Sequence, residues 1–228
     1  MKYLLLGTCT ALLALSLVPA LVMAQNQPDA SVGITLSTKE VRCNRVELPA
    51  CEDTDIEIQG ELYTPYYAYL TVFKGEASVG IAGLGVGIRY QNLSGQGVDV
   101  FGWTSCSDLE FPNSLWPASG GSNRLTWTGS SNCQTTEPGG AGDGVTAVAG
   151  YFYVIAYSDD ALRVDNGRWG NGSYINVADC AAAESVVPME RAGYVSFSED
   201  GSTPGFLPCG RNQEDTTFGR VKSSYNDR

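Results

Sequence analysis

The stretch that decides the fold is Gly83-Leu84-Gly85-Val86-Gly87-Ile88-Arg89-Tyr90. Leu84, Val86, Ile88 and Tyr90 share one face, and Gly83, Gly85, Gly87 and Arg89 share the other. Period two is the spacing of a β-strand. A strand with apolar side chains on one face and almost none on the other packs a core on the first. On the second it lets another layer approach closely. The same glycines exclude a dinucleotide-binding turn, because they alternate inside a strand and do not join a strand to a helix.

Working outward, residues 32–36, 55–58 and 66–73 read as strands, as do residues 98–100, 125–127, 162–164, 174–177 and 194–197. Residues 145–157 are almost continuously apolar, which predicts a central strand covered on both faces. Asn166-Gly167 and Asn171-Gly172 supply turns. About ten strands at this spacing predict an all-β fold, one antiparallel β-sandwich of jelly-roll type from about Ala30 to Phe197. Residues 181–187 read as one or two helical turns. Residues 105–123 and 129–144 are rich in Ser, Gly, Pro and Asn and read as long loops. Such loops carry a binding site or act as a lid over an open sheet edge. Near the end, Phe218, Val221 and Tyr225 are spaced for one face of a short C-terminal helix.

The first 24 residues have a positive start at Lys2, a long apolar run and a small-residue site ending at Ala24. That is the signal-peptide pattern, so a secreted protein, extracellular or periplasmic, is expected. The expected organisation is a signal peptide over 1–24, a β-sandwich domain over 25–209 and a polar tail over 210–228. The formal net charge is −11, and −12 once the leader takes Lys2 and no acid with it. An acidic surface argues against nucleic acid and anionic membranes as partners. Beyond Cys9 in the leader stand Cys43, Cys51, Cys106, Cys133, Cys180 and Cys209. An even set in an exported chain reads as three disulfides. Sequence leaves the connectivity open, and local pairing (43–51, 106–133, 180–209) is the simplest expectation.

The chain has no histidine, so Ser-His-Asp and Cys-His catalysis are excluded, and the expectation is that it is not an enzyme. A carboxylate pair needs no histidine, which keeps Glu110, Glu137, Asp143 and Asp159 as hydrolase candidates. No metal ligand set or cofactor motif is present. Structural calcium is the one ion considered, at residues 53–57 or 199–201, and neither stretch has EF-hand spacing. Trp103, Trp116, Trp127 and Trp169 surround the loop region and are candidate ligand-binding platforms, with core packing as the alternative. The partner is therefore an extracellular protein or a glycan. Two aromatics lining one open groove favour the glycan.

Two resemblances accompany these residues. Phe101-Gly102-Trp103-Thr104-Ser105-Cys106, Trp116-Pro117-Ala118-Ser119-Gly120 and Val177-Ala178-Asp179-Cys180 resemble a family of uncharacterised secreted proteins from uncultivated bacteria. That likeness implies export and supplies no functional residues. The strand at residues 84–90 followed by the long strand at 145–157 is similar to cohesin-type sandwiches. It implies a non-catalytic module for protein binding or cell-surface assembly.

Overall fold

The computed structural model describes residues 26–43, 48–53, 56–91, 93–170, 172–199 and 203–209. The stretch expected to be a signal peptide, residues 1–24, and the helix expected around Phe218 lie outside the described residues.

The strands are β1 (Ser31–Ser37), β2 (Gln59–Gly60), β3 (Pro65–Gly75), β4 (Gly83–Arg89), β5 (Val98–Ser105), β6 (Leu109–Pro112) and β7 (Ser122–Thr126). They continue with β8 (Val145–Ala156), β9 (Asp160–Asp165), β10 (Gly167–Trp169), β11 (Gly172–Ala178), β12 (Glu184–Val187) and β13 (Tyr194–Phe197). Sheet A runs β1-β3-β8-β5. Sheet B runs β10-β11-β4-β9-β13-β2, with β12 added on β11 and the β6-β7 hairpin added on β4. Pairing is antiparallel except between β13 and β2. The predicted antiparallel sandwich is therefore the fold, with one short parallel strand pair and an isolated parallel bridge between Val32 and Ala192.

The two inner faces make one core. β4 contributes Leu84, Val86 and Ile88, and β8 contributes Phe152, Val154 and Ala156. β8 lies between β3 and β5 and is buried over most of its length, as the apolar run predicted.

The outer face of sheet A is covered around Tyr69 and Tyr151, while Phe101 on β5 stays exposed. Tyr69 and Tyr151 pack there beneath Val41, Cys43 and Leu48. The Tyr69 hydroxyl donates to the Val41 carbonyl (3.1 Å) and accepts from the Val41 N–H (2.7 Å). Tyr151 donates to Glu40 Oε1 at 2.7 Å. Phe73 lies beside Leu207 and the Cys51–Cys209 bridge on the same side.

Three sequence expectations need correction. The disulfides are Cys43–Cys106, Cys51–Cys209 and Cys133–Cys180, so none of the local pairs forms. All six cysteines lie in the connections outside the strands, and the fold brings together connections that are 47 to 158 positions apart in sequence. Residues 184–187 are a strand, not a helical turn. Ser185 and Val187 face inward while Glu184 and Val186 face out, a period-two pattern fixed by pairing with β11. The stretch 105–123 is only partly loop, because Leu109–Pro112 pairs with β7 as the outermost strand of sheet B.

Candidate functional site

Strand β6 and the residue before it invert the usual polarity. Asp108 and Glu110 hydrogen-bond to the protein, while Leu109 and Phe111 point to solvent, 62% and 60% exposed. Glu110 Oε2 accepts from Trp103 Nε1 and from Asn123 Nδ2, both at 2.8 Å. Asp108 accepts from the Thr128 N–H (2.7 Å) and from Asn132 Nδ2 (2.8 Å). These hydrogen bonds, led by that of the Thr128 N–H, hold the Asp108 carboxyl below its ordinary range.

The register carries the pattern across the sheet. On its outer face Leu109, Thr126, Gly83, Ala178 and Glu184 form one cross-strand row. Phe111, Arg124, Gly85, Asn176 and Val186 form the next, with Val186 half exposed. The β4 glycines make the middle of this face low, and its margins carry large apolar side chains.

Trp169 occupies part of that low ground. A Cβ built on Gly85 would stand 3.1 Å from Trp169 Cζ2, and one on Gly167 would stand 2.6 Å from Trp169 Cε2. The backbone of both glycines therefore seats the indole. Trp169 Nε1 donates to the Tyr174 carbonyl at 3.0 Å. On the ring lies the Arg124 guanidinium, 4.5 Å from the centroid, a cation–π contact. Beside this stack opens a trough of 530 Å³, lined by Phe111, Pro112, Asn113, Arg124, Arg168 and Trp169 among others.

The four tryptophans separate in the structure. Trp127 is buried in the core. Trp103 and Trp116 meet edge to face at 5.1 Å and pack on Phe152, at 4.5 and 5.4 Å. Trp169 lines the trough, at its floor. The sequence reading did not single out Phe111, Leu109, Val186, Arg124 or Arg168. The signal for Leu109 and Phe111 was the apolar-outward alternation of residues 108–111, which looks like loop when polarity alone is read, and Arg124, Arg168 and Val186 had no such signal.

The carboxylates are committed differently. Glu110 is engaged as above, Glu137 Oε2 accepts from the Gly142 N–H (2.7 Å), and Asp159 Oδ1 accepts from the Glu199 N–H (3.4 Å). Glu137 and Asp143 line a second cavity of 870 Å³, with Glu52, Glu76, Lys74 and Arg191. Among the described residues no group of three or more acids or cysteines is placed to hold a metal ion. Both stretches considered for calcium run in part outside the described residues.

No protein-family model and no curated protein matches the chain. Solved structures similar to it include a cohesin module from a family 33 glycoside hydrolase of Clostridium perfringens ATCC13124. Its TM-score is 0.43 at 8% identity, over 74% of this chain and 96% of that one. Another is a type II cohesin domain from the cellulosome of Acetivibrio cellulolyticus. Its TM-score is 0.45 at 9% identity, over 76% of this chain and 97% of that one. The resemblance to secreted proteins of uncultivated bacteria has no matching family model.

Proposed function

We propose that the chain is an exported, non-catalytic binding module whose outer sheet-B face docks a partner protein. In this reading residues 1–24 are its leader, 25–209 the module and 210–228 a tail. Three disulfides fit an oxidising compartment. The observation that carries the docking reading is the inverted strand β6. Leu109 and Phe111 face water although Asp108 and Glu110 in the same stretch are the residues tied to the protein. Exposed apolar side chains grouped on a rigid face mark interaction sites. A large apolar side chain that becomes a buried anchor in a complex is worth about 2 kcal/mol or more.

The test is affinity capture from the native cell-surface fraction with wild type, Leu109→Asp/Phe111→Asp and Tyr63→Asp. Tyr63 is 71% exposed and outside this face. A partner held by wild type and by Tyr63→Asp, and weakened about 30-fold or more by the double variant, supports the reading. Capture indifferent to Phe111 overturns it. A glycan is the second reading, because Phe111 and Trp169 line one open trough. Trp169 has one ring face under Arg124 and packs on Gly85 and Gly167, so only Phe111 offers a free ring there. A glycan array tests it.

A further inference from the structure

We propose that the trough beside Trp169 receives a carboxylate of the docking partner, so that the docking segment is an acidic, extended peptide. This rests on the docking reading above and names the chemistry of the partner. The chain carries 25 acids and 14 bases, so its cations are expected to meet acids of its own. The three ion pairs among the described residues use Lys74, Arg89 and Arg191. Arg124 and Arg168 belong to none of them. Both line the same concavity, and no Asp or Glu lines it. Two arginines lining one trough on an acidic protein form a local site for an anion.

Arg124 is also pre-organised. Arg124 lies on the Trp169 ring, and its Nε is buried without a hydrogen-bond partner. The Arg168 backbone N–H is fixed to Ser122 Oγ at 2.9 Å. A planar guanidinium held by stacking binds a carboxylate with two parallel hydrogen bonds, which a lysine cannot reproduce. The surroundings select a peptide over an acidic sugar. The Trp169 ring has no free face for a sugar to stack on, whereas Leu109, Phe111 and Val186 offer apolar margins to the neighbouring side chains of an extended segment.

The experiment follows the Trp169 indole N–H and the Arg124 Nε–H by NMR in the folded protein. Three probes are added in turn: an acetylated hexapeptide alternating Glu and Leu, its Gln counterpart, and trigalacturonate. The Glu peptide is expected to shift both signals at concentrations about tenfold below those the Gln peptide needs, with the difference shrinking as salt rises. Arg168→Gln should raise the half-saturation concentration about tenfold, and Arg168→Lys should restore only part of the loss. Equal binding of Glu and Gln peptides, or tighter binding of trigalacturonate, overturns the proposal. In the capture assay, a partner lost by Leu109→Asp/Phe111→Asp but kept by Arg124→Gln/Arg168→Gln overturns the carboxylate site while the docking face stands. Indifference to the Leu109/Phe111 pair removes the docking reading itself.

Discussion

Gly85→Ala tests whether the β4 glycines exist to seat side chains. The new Cβ would fall well inside contact distance of Asn176 Oδ1, with Asn176 Cγ and Trp169 Cζ2 both at 3.1 Å. Asn176 is 4% exposed and cannot swing into solvent without leaving the sheet face. Overpacking of this kind costs about 1–3 kcal/mol, or roughly 2–12 °C in Tm for a chain of this size. Gly83 is the milder comparison, since its added Cβ meets Ala178 Cβ at 3.1 Å and Leu125 O at 3.6 Å. Gly83→Ala should cost less than Gly85→Ala, the lower entropy of the unfolded chain offsetting part of its single tight contact. The decisive measurement is a double-mutant cycle by denaturant unfolding. In an Asn176→Ala background the main clash is gone, and the cost of Gly85→Ala should fall below about 1 kcal/mol. A neutral Gly85→Ala, or one equally costly in both backgrounds, would refute the reasoning.

Two further outcomes are expected. Non-reducing peptide mapping should recover Cys43–Cys106, Cys51–Cys209 and Cys133–Cys180. Because Cys51 and Cys209 are 158 positions apart, their replacement by Ser should cost the most, up to about 5 kcal/mol by loop entropy against about 4 for the other two. Burial by itself raises the Asp179 carboxyl, but hydrogen bonds from Asn26 Nδ2 and the Ala183 and Ala181 N–H groups outweigh it and leave the carboxyl below its ordinary value. A lowered native pKa gives stability that is present above the unfolded value and lost as pH falls through the native one. Asp179→Asn should therefore cost about 1–3 kcal/mol at neutral pH, and its deficit in thermal melts should shrink below pH about 4. A deficit constant with pH would count against the assignment.

The sequence carried the sandwich where apolar periodicity and burial agree. Leu84, Val86 and Ile88 repeat at two and go to the core, and residues 145–157 are apolar because β8 is covered on both sides. The glycine face of β4 also told in advance that something would come close. That the visitor is Trp169 depends on the β10–β11 hairpin, whose pairing is a tertiary fact. β12 was misread because Ala181, Ala182 and Ala183 favour a helix locally, and only pairing with β11 imposes period two on Ser185 and Val187. The disulfides depend on which connections the folded sheets bring side by side, which local sequence does not carry. β6 was hidden because its polarity is reversed, and a rule that sends apolar residues inward cannot see a strand that sends them outward.

That reversal carries a risk the fold contains. An exposed apolar edge strand invites pairing with another copy of itself. β6 limits this by length and by composition. It has four residues, and its last, Pro112, has no N–H to offer an incoming strand. Glu110, although tied to Trp103 and Asn123, places a carboxylate at the same edge, so two copies approaching edge to edge bring like charges together. What remains open is the face, where Leu109, Phe111 and Val186 surround the glycine floor. Docking onto this face recruits side chains and leaves the strand edge unused. It therefore favours a partner whose own side chains reach down between the apolar margins, and it is compatible with a chain that does not add strands to itself.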